Sequence, residues 1–305
     1  GLTSAHAAGS IAIVMVGMKL ATSPGEYLVD SNMLNGVVIM ILFTCIISSV
    51  VTDNASRTIT LTESLHGTEE KRGDDEKILI ALKPDGGLDT LMSLGLMMHN
   101  DKLSRGLIGL NVVYDDANSH KNQNVGKRTL EQATRIASAA DVRMLTQSRL
   151  ATNISNGIIH AFKEYDASEI IMGLHNKRSE TDKFWGLFTP NLVNSLNRQI
   201  ILCRCNRPLN TLRRIVVAIP SRVEFEQGFY RWIERLARLA ENLGCRIVFH
   251  GRIESTALIN EYIRNQHPGV RAEYVLMEHW KEFPQLAEDL SDDHMLVVIT
   301  ARQGT

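Results

Sequence analysis

The stretch MLNGVVIMILFTCIISSVVT (Met33–Thr52) contains no charged side chain, and it limits the possible folds more than any other feature. A bilayer core takes about 20 apolar residues of helix. A helix made from this run is apolar on every side, so it has no polar face to turn toward water. Burial in a soluble core is the alternative, and the all-round apolarity favours a membrane. An earlier run, from about Leu2 to Ala21, contains AAGSIAIVMVGMKLA and the single charge Lys19. The link between the runs, TSPGEYLVDSN, carries Glu26 and Asp30 but no Lys or Arg, whereas Arg57, Lys71 and Arg72 follow the second run. The excess of basic residues on cytoplasmic loops then predicts an antiparallel hairpin with everything after it in the cytoplasm.

Ala5, Gly9 and Ala12, continued by Gly17 and Ala21, place small residues along the first helix. Such residues let helix backbones approach closely in a membrane, which predicts packing against further helices upstream. Lys19 is the one charge inside a span. An intramembrane cation can mark an ion route; near a helix end its ammonium can equally snorkel to the interface.

After Thr52 charges recur every few residues, and the whole chain has a net charge of -1. That balance gives no electrostatic reason to expect nucleic acid as a partner. Residues Glu63 to Glu76 are polar and include Gly67 and Gly73, which predicts a flexible linker. The four cysteines (Cys45, Cys203, Cys205 and Cys245) form neither a disulfide framework nor a zinc pattern. The strand-borne pair Cys203 and Cys205 is expected to turn its thiols to opposite faces and to stay reduced and separate.

From Lys77 onward apolar strands alternate with helices. KILIALK (Lys77–Lys83), GLIGLNVVY (Gly106–Tyr114), VRMLTQSR (Val142–Arg149), EIIMGLH (Glu169–His175) and QIILCRC (Gln199–Cys205) are the strands of a first unit. The helices between them run from Leu88 to Lys102, Val125 to Ala140 and Ile154 to Tyr165. Near-continuous apolar strands separated by helices predict a parallel sheet covered on both faces. RIVVAIP (Arg214–Pro220) starts a weaker repeat, with strands CRIVFHG (Cys245–Gly251), RAEYVLM (Arg271–Met277) and HMLVVIT (His294–Thr300). Its helices are expected over Phe225–Leu243 and Ser255–Asn265.

The segment with chemical content is MGLHNKRSETDKFWGLFTPNLV (Met172–Val193). A strand ends at Gly173 and a long loop leads to Gly186 and a helix. Ligands bind doubly wound sheets at the carboxyl ends of strands, where glycines let backbone amides approach a phosphate and a helix N-terminus adds positive potential. Lys83 and His175 both follow strands at this edge, where an anion site and two solvated side chains are the competing interpretations. Phe184 and Trp185 are a lid, a partner contact or packing. No Ser-His-Asp set, paired carboxylates or metal cluster points to catalysis, and ATP hydrolysis is the enzymatic alternative.

The same segment resembles the universal stress protein family, whose Gly-x-x-Gly, nine residues and Gly-Ser or Gly-Thr loop cradles ATP phosphates. Gly173 matches the first glycine, Gly186 the third, and His175 the histidine of the family's Met-Gly-x-His-Gly-Arg run. Asn176 replaces the second glycine, Leu187 the hydroxyl residue, and Lys83-Pro84 stand where a ribose-binding Asp is usual, with Asp85 displaced. The resemblance therefore implies a degenerate nucleotide loop, formed by Lys83, Gly173, His175, Asn176 and Gly186. Its ligand is ATP, another nucleotide, or none. In the second unit Ala301 stands at the first glycine's place.

Two apolar helices followed by this tandem resemble the C-terminal part of a bacterial monovalent cation:proton (Na+/H+) antiporter. The expected fold is a transmembrane α-helical hairpin followed by α/β: two doubly wound parallel-sheet units, universal stress protein-like and adenine nucleotide alpha hydrolase-like, the second truncated. The expected division is residues 1–55 for the last two helices, 56–76 for a cytoplasmic linker, 77–207 for the first unit and 213–305 for the second. The resemblance implies a multi-pass protein of the bacterial inner membrane that exchanges Na+ or K+ for H+. Its ion-binding residues lie in helices that precede this sequence, its cytoplasmic tandem has a regulatory role, and its units associate, within the chain or as a homodimer. The alternative is a membrane-anchored nucleotide sensor without transport activity.

Overall fold

The computed structural model describes residues 7–23, 26–27, 29–30, 32–48, 76–84, 87–100, 106–174, 192–193, 195–196, 198–205 and 207–300. The chain divides into two compact units, Gly1–His66 and Gly67–Thr305.

In the first unit, helix α1 spans Ala7–Gly17. Strands β1 (Ala21–Ser23) and β2 (Glu26–Tyr27) form an antiparallel pair, and residues 32–48 form helix α2. The first apolar run is therefore not one helix through Ala21. The backbone tightens after Gly17, where Lys19 N donates to the Val16 carbonyl at 3.0 Å and Leu20 N to the Gly17 carbonyl at 3.3 Å. Ala21–Ser23 are already extended as β1, and the sequence that follows, Pro24-Gly25, does not favour helix. Asp30 starts α2, its Oδ1 accepting from Met33 N at 3.2 Å. Along α2 the side chains of Ile39, Leu42, Phe43, Ile46 and Ile47 are exposed. Among the described residues no helix is long and apolar enough to cross a membrane. The end of the second predicted span and the linker up to residue 75 lie outside the described residues.

The second unit contains two parallel sheets. The first is formed by β3 (Ile78–Ala81), β4 (Leu107–Tyr114), β5 (Met144–Ala151), β6 (Glu169–Gly173) and β7 (Gln199–Cys203), in the order β5-β4-β3-β6-β7. Helices α3 (Leu88–Met98) and α4 (Ser119–Ala139) pack on one face. Helix α5 (Ile154–Glu164) covers the other, where Ile158, Phe162, Leu192 and Leu196 meet Leu79, Leu110 and Ile170. The chain winds outward from β3 on one face and returns across the sheet on the other, which is the doubly wound arrangement.

The second sheet contains β8 (Arg214–Ala218), β9 (Arg246–Gly251), β10 (Arg271–Leu276) and β11 (His294–Val298), in the matching order β10-β9-β8-β11. Helices α6 (Phe229–Leu243) and α7 (Ile253–Gln266) cover one face. Helix α8 (Phe283–Glu288), which the sequence pattern does not reveal, lies on the other with Val216, Ala218, Met277 and Leu286. Helix α6 also begins later than expected, because Val223–Phe225 form a 3-10 turn ahead of it.

A single apolar core runs through both sheets, joining Leu91, Leu94 and Met98 of α3 to Ile233, Leu236 and Leu239 of α6. A buried charge cluster fixes this junction. Arg235 of α6 pairs with Glu169, whose Oε2 accepts from Nε at 2.9 Å, with Glu76, and with the Met98 carbonyl at 3.0 Å. Burial alone would ease the proton off this guanidinium, but the Glu169 and Glu76 carboxylates raise its pKa above the ordinary value. Glu76, which the sequence pattern assigns to a linker, is therefore a buried structural residue. Two further bonds cross the same junction: Arg231 Nη1 to the Ser168 carbonyl at 3.1 Å, and Asn242 Nδ2 to the Met97 carbonyl at 2.7 Å.

Candidate functional site

Strands β3 and β6 are neighbours, with Ala81 opposite Met172. After β3 the chain leaves toward the α3 face, whereas Leu192 and Leu196, between β6 and β7 in sequence, lie on the α5 face. Their carboxyl ends thus flank the switch point, where an open α/β sheet has a crevice for ligands. Lys83 is exposed two residues beyond the end of β3, and Gly173 is the last residue of β6. The fold places these two predicted residues at the ends of the neighbouring strands that flank the switch point. His175, Asn176 and Gly186 lie outside the described residues, as do Asp85, Phe184, Trp185 and Leu187. Lys19 is exposed beyond the end of α1, in the other unit.

The β3 exit is held by a residue that sequence reasoning passed over. Asn111 of β4 is buried, and its Nδ2 donates to the Leu82 carbonyl at 2.9 Å, one residue before Lys83. Leu82 N donates in turn to the Leu110 carbonyl at 2.8 Å. The Asn111 Oδ1 faces α4 at Gly126 without a hydrogen-bond partner, and a Cβ at Gly126 would be driven into it. Glycine is required there by close approach. The signal in the sequence is a lone amide in the otherwise apolar LIGLNVVY, and it cannot be interpreted without knowing which helix faces it.

Beside Gly173, Cys203 ends β7, and its carbonyl accepts from Leu174 N at 2.7 Å. The Cys203 and Cys205 sulfurs are 3.3 Å apart. The expectation that they turn to opposite faces is corrected: residues two apart on extended chain share a face, and Ile201, Cys203 and Cys205 all pack toward the same core.

Two other polar features lie away from this edge. An open cavity of about 610 Å³ at the amino-terminal edge of the second sheet is lined by Arg213, Arg214, Arg246, Arg271, Asp293 and His294. Asp293 stands 3.9 Å from Arg213, and Glu273 accepts from Arg246 at 2.8 Å, so two of these cations are already paired. Amino ends of parallel strands are also the edge opposite the ligand crevice. Between α6 and α7, His267 Nε2 is 2.7 Å from Glu234 Oε2, Tyr262 donates to the same oxygen at 2.8 Å, and Arg238 donates to Oε1 at 2.7 Å. Burial opposes ionisation, but the bonds to His267 and Tyr262 and the Arg238 charge prevail and hold the Glu234 carboxyl at about 2. Three donors converge on this one buried carboxylate, so the network ties α6 to the end of α7. No group of three or more metal-ligating side chains occurs among the described residues.

No protein-family model matches the chain, and no curated protein matches it. Solved structures do match, and those named here are universal stress proteins. One from Archaeoglobus fulgidus DSM 4304 is 13% identical over 70% of this chain and 80% of its own, with a TM-score of 0.47. A universal stress protein family member from Burkholderia pseudomallei is 18% identical over 43% of this chain and 96% of its own, with a TM-score of 0.33. A universal stress protein in complex with cAMP is 12% identical over 43% of this chain and 97% of its own, with a TM-score of 0.32. At these identities the likeness is one of fold.

Proposed function

We propose that the two parallel sheets and their helices form a ligand-sensing regulatory module, and that its ligand is a nucleotide bound at the β3/β6 switch point of the first sheet. The observation that carries this reading is the placement of Lys83 and Gly173 at the switch point of a doubly wound sheet. A cation on one side and a glycine on the other suit a phosphate. The residues at the altered loop positions, Asn176 and Leu187, favour weak, reversible binding over catalysis. In this reading the module binds and does not turn over its ligand.

The module serves a monovalent cation:proton antiporter of the bacterial inner membrane, with the tandem on the cytoplasmic side. Support comes from the charge-free Met33–Thr52 run and the basic residues after it. A ligand can bias a transporter only through different affinities for its conformations. The test is cation-driven proton flux in vesicles containing the complete transporter, with and without the chain from Asp74 onward. Altered flux at equal membrane expression supports the reading. Unchanged flux contradicts it and favours a membrane-anchored sensor.

A further inference from the structure

We propose that Cys203 and Cys205 form a reversible oxidation site, closing to an intramolecular disulfide by exchange with a low-molecular-weight disulfide of the glutathione type. The two sulfurs are already 3.3 Å apart, and both residues are only partly buried, so a small disulfide can reach them. The other described thiol of the second unit, Cys245, is buried, and burial pushes its pKa up.

The pair is chemically unequal. Its mutual hydrogen bond, with burial added, pushes the Cys203 thiol up, while the same bond lowers Cys205 against the effect of burial. The thiolate is the nucleophile in exchange, which makes Cys205 the entry point. The Cys205 thiolate attacks one sulfur of the small disulfide, forming a mixed disulfide and expelling one thiolate. Cys203 then loses its proton to solvent or to that thiolate and attacks the Cys205 sulfur. The second small thiolate leaves. Two protein thiols are oxidised, one small disulfide is reduced to two thiols, and no other oxidant is needed.

The position gives the bond a consequence. Cys203 is in register with Gly173, and its carbonyl holds Leu174 N. Closing the bridge stiffens the strand beside the β6 side of the crevice. This inference does not depend on whether a nucleotide binds there.

The test is equilibration of the full chain in buffers of stepped reduced-to-oxidised glutathione ratio, acid quenching, alkylation and peptide mass spectrometry. The expected product is a Cys203–Cys205 peptide two hydrogens lighter and unalkylated, fully restored by excess thiol. In the same buffers Cys203→Ser is expected to stop at a glutathione adduct on Cys205, and Cys205→Ser to leave Cys203 largely free. Both thiols alkylated at the most oxidising ratio would overturn the proposal. So would a bridge to Cys245, a bridge between chains, or equal adduct formation in the two variants.

Discussion

Arg235 and Glu169 are separated by 66 residues of sequence and lie in different sheet units, yet their side chains meet in a buried ion pair at the amino-terminal edge of the first sheet. Glu76 completes the cluster from the strand-entry segment before β3. Removing one partner from such a pair leaves a buried charge uncompensated, at a cost of about 3–5 kcal/mol. Arg235→Met is expected to destabilise the second unit by about that amount in urea titration. Adding Glu76→Gln and Glu169→Gln is expected to recover part of the loss. A single substitution as mild as a surface change would refute the structural role.

Gly126 and Asn111 are expected to be coupled. Gly126→Ala drives a methyl into the Asn111 amide and is expected to cost about 1–3 kcal/mol, the range for overpacking. In an Asn111→Ala background the same substitution has room and is expected to cost far less. A double-mutant cycle measures the difference; additive effects would contradict the contact.

The Glu234 network predicts an acid-side dependence. The folded-state carboxyl lies at about 2, below its ordinary value of 4.5. Its stabilisation is therefore complete above about 4.5 and is lost as pH falls through about 2. The stability difference between the wild type and Glu234→Gln is expected to shrink over that window. His267, Tyr262 and Arg238 contact this carboxyl, Glu241 faces the other ring nitrogen of His267, and all four remain in both proteins. A difference that stays constant from neutral pH to about 2 would rule the network out as its source.

The strands were legible because parallel strands buried on both faces are continuous apolar runs. β4, β6 and β8 differ from their sequence-based ranges only at their ends. Elements without an apolar period were not. The first turns of α4, with exposed His120, Lys121 and Asn122 among them, show no helical stripe, so the helix begins before Val125, where the pattern places it. Helix α8 has six residues, too few for a period to show. Arg235 sits in a charged helical sequence that suggests a solvated surface, and it is buried because its carboxylates come from distant segments. At the site, Lys83 and Gly173 were legible as strand ends. The role of Asn111 was not, since it depends on which backbone lies opposite; the Cys203–Cys205 contact follows from the two-residue period of a strand, which the Cys-x-Cys spacing already carries.

The most direct test of the ligand site is calorimetric titration of ATP, ADP and cAMP into the 305-residue chain, repeated on Gly173→Val and Lys83→Ala. Saturable heat from at least one nucleotide, weakened by both substitutions, is the predicted result. No binding by any of the three, or binding that both variants leave unchanged, would contradict a nucleotide site at the β3/β6 crevice.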